Sequence, residues 1–439
     1  MSSFLKPLIC ILVCITALLT SLYIYFTGST IELYGIKLAI DTLSLFFIVN
    51  TCILGIACIW ASHRYLELYK NTHPLIPYYG LMLIFILSMV VIPASRNWIL
   101  FLFFWEIMTL SSYFLIIYDY ADEKVLRTGW MYFVAMHILN ALPLFLMVAL
   151  IYMSTSSFDF TSYSKFCIYI TLLALIGFAT KAGLFPMHFW LPEAHPAAPS
   201  PVSALLSGAM VELGIYGIVR VFSLSAFPIT PWITLVAYIM AFMNIVAALL
   251  TYPLQFDVKR LFAWSTIENS GWMMLIVLVS KDITDIALPL GLYVLCHGLA
   301  KAAAFLSSGG IIYVYGTRNL SEIKGMVNTC KPLAFLTIFS ILALEGVPPF
   351  NLFLAKLYVV LKVFHYNNWL GGFLAIIWCF VFIVFLNIIH TFILSKGSPE
   401  AKRKLPLSIS APIIMLLILS MLSYPLVSLI MKGGVWKLW

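Results

Sequence analysis

Lys181 stands in the run Phe178-Ala179-Thr180-Lys181-Ala182-Gly183-Leu184-Phe185-Pro186, a cation inside a long apolar stretch. A charge there is expensive unless something uses it. Pro186 removes one backbone hydrogen bond, which predicts a helix broken beside the lysine, as happens where polar backbone lines a cavity. The chemistry that uses such a pairing is ion movement. A lysine snorkelling to the surface along its stem is the bland alternative, and the apolar run on both sides argues against it. Further ionisable residues lie in similar settings: Glu106, Glu212, His297, Lys301, Glu345 and Lys356. Glu106, within Phe103-Phe104-Trp105-Glu106-Ile107-Met108, needs a nearby cation to stay ionised, and Lys181 is the expected partner. Moving that partner closer or further switches its proton affinity, the basic step of a pump. His297 and Lys301 are one helical turn apart and face the same way, an arrangement suited to relaying protons. A histidine alone in a helix would more simply be a hydrogen-bonded packing residue, so the pairing carries the functional reading.

These residues need membrane-spanning helices to hold them. Of 439 residues, 63% are hydrophobic and 10% charged, against about 25% charged in a soluble domain. Apolar runs near the spanning length fall at roughly 8–27, 42–63, 76–94, 97–118, 129–153, 164–187, 200–224, 231–251, 261–280, 285–315, 331–365, 369–395 and 405–431, about thirteen spans. The first is read as an anchor helix, since no small-residue cleavage site follows it. Two segments are broken, one at Lys181 and Pro186, the other at Leu344-Glu345-Gly346-Val347-Pro348-Pro349 with Lys356 after the prolines. Five spans separate their positions, the spacing that a five-helix repeat requires. The expected division is N-terminal helices over 1–95, a first repeat over 96–225, a second over 226–396, and a C-terminal helix over 397–439.

The net charge of +8 is partitioned across loops rather than offered to nucleic acid. Lys6, Arg64, Lys70, Lys124, Arg127, Lys259, Arg260, Arg318, Lys324, Lys331, Lys396, Lys402, Arg403 and Lys404 fall on the side of the N-terminus. Lys37, Arg96, Lys165, Arg220, Lys281, Lys432 and Lys437 fall opposite. This places the N-terminus in the cytoplasm and the C-terminus outside a cell membrane. The cysteines lack metal-type spacing and read as packing residues. No nucleotide loop or flavin fingerprint occurs, so any redox chemistry sits on partners. Asp119, Asp122, Glu123 and Lys124 read as a solvated loop, Glu268 as a helix N-terminal residue, and His137 and His390 as packing histidines.

The stretch from Lys181 to Arg220, with Leu191-Pro192-Glu193-Ala194-His195-Pro196-Ala197-Ala198-Pro199-Ser200-Pro201-Val202-Ser203-Ala204, resembles the antiporter-like subunits shared by respiratory complex I, Mrp-type cation/proton antiporters and membrane-bound group 4 hydrogenases. So do Phe104 to Ser112, Asp257 to Gly271, the helix of His297 and Lys301, and the broken segment at Lys356. The wording around His195 is similar to the hydrogenase-like branch in particular. The resemblance implies an all-α membrane fold of two inverted five-helix repeats, each with a broken helix, joined by a polar axis. It makes Glu106 and Lys181 the charge pair of a first half-channel, His297 and Lys301 the connecting relay, and Lys356 the terminal lysine of the second. His195, in the loop after the first break, matches a family histidine near the channel; a plain loop contact is its alternative.

This chain departs from the family pattern where many relatives carry a lysine in place of Glu212, which points to an altered relay or to a preference for sodium. Glu345 adds an acid that could pair with Lys356 or Lys301, or face a neighbouring subunit. One N-terminal helix and a long lateral C-terminal extension are expected to be absent. The function expected is proton or sodium translocation as one subunit of a redox-driven complex of the hydrogenase or complex I type. The alternative is a subunit of a sodium/proton antiporter without redox centres; a non-conducting scaffold is disfavoured by the complete lysine series. The resemblance further implies no cofactor in this chain, with iron–sulfur clusters and a nickel–iron site or quinone on partners. Those partners would be other antiporter-like and small helical membrane subunits, peripheral redox subunits and the lipid bilayer.

Overall fold

The computed structural model describes residues 2–33, 36–70, 72–226, 228–280 and 282–430. Among them, twelve helices are long and apolar enough to cross a membrane. We label them α1 (Leu5–Thr27), α2 (Thr42–Leu68), α3 (Leu75–Ala94), α4 (Trp98–Ile116), α5 (Glu123–Thr155), α6 (Cys167–Ala197), α7 (Ser200–Leu224), α8 (Pro231–Leu254), α9 (Val258–Val279), α10 (Ile283–Tyr315), α12 (Asn368–Ile393) and α13 (Leu407–Ser428). Between α10 and α12 lies α11, split into α11a (Lys331–Glu345) and α11b (Leu352–Tyr366), each half too short to span alone. Counting α11 as one interrupted span gives the thirteen expected. A short hairpin of β1 (Ile31–Leu33) and β2 (Ile36–Leu38) follows α1.

Side-chain caps set where these helices begin. Asp41, Asn97, Asp122, Asp257, Asp282 and Asn367 each accept a bond from a backbone N–H in the first turn of the helix that follows. Such a cap satisfies donors that would otherwise be orphaned. Asp122 thus shapes α5 instead of belonging to a merely solvated loop. The two breaks share one geometry. Gly183 and Gly346 take the left-handed conformation at φ +65° and +70°, the residue type that conformation favours. Leu184 N donates to Ala179 O and Val347 N to Leu342 O, the closing bond of a Schellman motif. The helices therefore stop at the glycines, before Pro186 and Pro348 are reached; the prolines only prevent resumption.

Contacts between loops show which of them share a membrane face. Tyr313 donates to Glu67, Tyr118 to Pro74 O, and Arg318 to Pro196 O, while Lys402 N bonds Val314 O. On the opposite face, Arg96 N bonds Lys37 O, Trp98 N bonds Phe158 O and Tyr163 N bonds Leu224 O. Of the cations assigned to the two sides, Lys259 and Arg220 are buried, near the ends of α9 and α7. Each is held by hydrogen bonds that only the folded bundle brings together. Lys281, Lys432 and Lys437 lie outside the described residues.

Close packing holds α6 against α7. A Cβ on Gly214 would lie 2.6 Å from both Ala182 N and Phe178 O, backbone atoms that flank Lys181. Gly214→Ala is expected to destabilise the protein by about 1–3 kcal/mol, the usual cost of overpacking, read as a lower unfolding midpoint in detergent.

Candidate functional site

Lys181 ends the first half of α6, fully buried, and its ammonium donates to Thr109 Oγ1 at 2.8 Å, Tyr132 OH at 3.4 Å and Met136 Sδ at 3.5 Å. It also stands 5.7 Å from the ring centroids of both Trp105 and Tyr132. Hydroxyls and aromatic faces thus solvate the charge where water is excluded. The ion pair expected with Glu106 is not a direct contact among the described residues. Glu106 lies one turn before Thr109 on α4 and is 3.7 Å from His137 Nε2, on the partly exposed outer wall of the bundle. His137 is therefore the neighbour that Glu106 has, and more than a packing residue. It sits in a π-helical stretch, Ala135–Ala141, whose Asn140 accepts from Trp105 Nε1 and donates to Gly177 O.

Glu212 on α7 is fully buried and has two partners. Asn50 Nδ2 donates to its Oε2 at 2.8 Å, and His297 Nδ1 lies 2.7 Å from its Oε1. Glu212, the residue read from the sequence as a departure from the family pattern, thus engages His297. Tyr132 OH lies 3.7 Å from Met210 Sδ, so thioethers stand between the Lys181 cluster and the Glu212 segment.

One turn along α10 from His297, the Lys301 ammonium donates to Phe262 O at 2.9 Å and to Ser265 Oγ. Three residues further along α9, Glu268 Oε1 receives Lys356 Nζ at 3.1 Å, both groups fully buried. Lys301 and Lys356 therefore anchor on successive turns of the same α9 face. The structure corrects the expectation that Glu268 is a helix N-terminal residue: α9 begins at Val258, and Glu268 is at its middle. Tyr252 OH and Trp272 Nε1 also donate to Glu268, at 2.5 and 3.0 Å. Hydrogen-bonded donors and an ammonium are what a buried carboxylate requires.

Glu345, one residue before Gly346, is buried, and neither carboxylate oxygen has a hydrogen-bond partner among the described residues. It makes no ion pair there with Lys356 or Lys301, the partners expected. His195 is placed in a short helix, Leu191–Ala197, rather than a loop. Neither ring nitrogen has a hydrogen-bond partner among the described residues, and its ring stacks on Phe305 at 5.0 Å. Phe262, whose carbonyl accepts from Lys301, meets Phe305 edge to face at 5.9 Å.

A second charge cluster closes one face. Asp41 meets Arg220 Nη2 at 2.6 Å and Arg96 Nη2 at 3.2 Å, and both guanidinium groups also reach Ser44 Oγ. Burial alone would keep the Asp41 proton on, but the charge and hydrogen bond of Arg220, with Arg96 beside it, win and bring the carboxyl down to about 2. An unfolded aspartate titrates near about 3.9. The contribution of Asp41 to stability is therefore complete above that value and is lost as pH falls toward 2. Unfolding midpoints measured on acidification across this window should fall less steeply for Asp41→Asn than for the wild type.

No group of three or more His, Cys, Asp or Glu side chains among the described residues is arranged to hold a metal ion. What the architecture defines is a polytopic helical membrane protein with ionisable side chains in line through its interior. Residues 95–385 match the family model described as NADH:quinone oxidoreductase/Mrp antiporter, TM, and the chain belongs to that family. It is 33% identical over 354 residues to Hydrogenase-4 component B of Escherichia coli (strain K12), covering 76% of this chain and 52% of that one. A Na(+)/H(+) antiporter component from Alkalihalophilus pseudofirmus is 28% identical over 348 residues, covering 77% and 69%. The fold superposes on a chain of the archaeal membrane-bound sulfane sulfur reductase with TM-score 0.83 at 22% identity, covering 100% of this chain and 96% of that chain. The chain spans about half the length of curated relatives such as the hydrogenase-4 component.

Proposed function

We propose that this antiporter-like subunit translocates protons, or sodium in exchange for them, as part of a redox-driven complex of the membrane-bound hydrogenase or complex I type. The observation that carries the reading is the buried series Glu212–His297, Lys301 and Glu268–Lys356, which runs through α7, α10, α9 and α11b. Charges at this depth are costly and are kept where a pathway uses them. Glu106 with His137 forms the entry side, Lys181 the first switch, and His195 a side branch above Phe305. A charge change at a neighbouring subunit shifts Glu106 relative to Lys181, the ammonium gives up its proton, and the displaced charge is felt along His297 and Lys301 to Lys356.

The shared break geometry at Gly183 and Gly346 supports two repeats, which we place at 96–225 and 226–396 after N-terminal helices over 1–95, with 397–439 as the final helix. The basic loops that group with the N-terminal side support a cytoplasmic N-terminus, with the C-terminus outside. Iron–sulfur clusters, with a nickel–iron site or quinone, would reside on peripheral and neighbouring subunits. Likeness to a Na(+)/H(+) antiporter component favours a second reading, a gradient-driven antiporter without redox centres. Mass spectrometry and metal analysis of the complex purified with this chain separate the two. Iron or nickel with soluble redox subunits is expected; small membrane subunits alone, without metal, would establish the antiporter.

A further inference from the structure

Lys356 has two carboxylates within its electrostatic reach and is bonded to one of them. Glu268 holds it at 3.1 Å, while Glu345, in the last turn of α11a, has neither oxygen hydrogen-bonded among the described residues. The groups that act on Glu345 are Lys356 across the break, Glu268 on α9 and Lys301 on α10, with the phenols of Tyr252 and Tyr293 beside them. Its backbone is pinned, because Trp378 Nε1 donates to Glu345 O at 2.9 Å. The backbone is thus held, while the carboxyl group has no hydrogen-bond donor among the described residues. A buried carboxylate in that condition is far costlier than a carboxylic acid.

We propose that Glu345 is a proton-carrying residue of the second half-channel and that Lys356 exchanges between Glu268 and Glu345. In the observed arrangement, Glu268 is ionised against the Lys356 ammonium and Glu345 holds a proton. When the ammonium moves to Glu345, that group ionises and its proton leaves. Glu268, now without its cation, takes up a proton from the Lys301 side. Before and after, the three groups comprise one ammonium, one carboxylate and one carboxylic acid; when the ammonium returns to Glu268, the Glu268 proton passes to Glu345, so one proton crosses in each full cycle without a change of buried net charge. We place release on the Glu345 side, at the break in α11, and uptake at Glu268, which is fully buried at the middle of α9 one turn from the Lys301 anchor Ser265. The hinge is already built, since Gly346 separates the two halves of α11.

This inference rests on the translocation reading above, and its test distinguishes the two. The intact complex carrying the full chain is examined by infrared difference spectroscopy for the carbonyl stretch of a buried protonated carboxylic acid, and by ion uptake in liposomes. The wild type should show that band, and Glu345→Gln should lack it and lose coupled transport by roughly 100-fold, within the range for a positioned proton carrier. Glu345→Asp, which keeps a carboxyl group, should retain measurable transport. Glu268→Gln should also lack the band, because Lys356 then pairs with Glu345 and ionises it; this arm decides the matter if Glu345→Gln fails to assemble. Persistence of the band in Glu268→Gln, or full transport in Glu345→Gln, overturns the proposal. If Lys356→Ala is inactive while Glu345→Gln transports fully, only this inference falls; if Lys356→Ala transports normally, the translocation reading falls with it.

Discussion

Lys181→Ala is expected to abolish coupled ion transport, by roughly 100-fold or more, while the complex still assembles. The ammonium is fully buried, and its acceptors do not depend on it. Thr109 Oγ1 also bonds Trp105 O, and Tyr132 OH bonds Ser112 Oγ at 2.6 Å. Removing the lysine therefore leaves no carboxylate stranded, and the loss should fall on transport rather than on folding. Vesicles containing the variant are to be compared with wild-type vesicles at equal content of assembled complex. Normal transport in the variant would remove Lys181 from the mechanism.

Glu212 should separate stability from function. Glu212→Gln retains a carbonyl for Asn50 and an amide for His297, so the unfolding midpoint should stay near that of the wild type. Coupled transport should nevertheless fall roughly 100-fold, because the amide cannot exchange a proton with the imidazole. Glu212→Ala removes the acceptor altogether, leaving the buried His297 imidazole unpaired at a cost of about 1–3 kcal/mol, while Asn50 keeps its bond to Gly208 O. A midpoint lowered in Glu212→Ala but not in Glu212→Gln, with transport lost in both, is the expected pattern. Unimpaired coupled transport in Glu212→Gln would show that the acid in place of the family's usual lysine is not part of the relay.

The spanning helices are legible in the sequence because they are apolar runs near the spanning length, six of the helices begun by Asp or Asn and, at the breaks, ended by Gly with Pro close behind. The ionisable residues announce themselves by being charges within those runs. Their partners do not, since a helix pattern shows that a side chain is buried but not what it faces. Asn50 and Glu212 are 162 positions apart, Glu268 and Lys356 88, and Asp41 and Arg220 179. Glu268 escapes a sequence reading because the Ser265-Thr266 pair before it looks like a helix start. A signal is nevertheless present: α9 is the least apolar of the twelve spans yet mostly buried, and a polar, buried helix must have internal partners. His137 escapes for the opposite reason, as one histidine in an apolar helix whose neighbour lies on a different helix. The pairing of Glu106 with Lys181 follows from residue types alone, and Thr109 on the same face of α4 takes the direct bond instead.

Ions cross the membrane, on this account, through the buried charges of this chain. The most direct test is ion movement by the intact complex reconstituted in liposomes, followed with entrapped proton- and sodium-sensitive dyes while the complex is energised. Movement of one or both ions in step with the driving reaction is expected. A driving reaction that proceeds in sealed liposomes with neither ion crossing would contradict it.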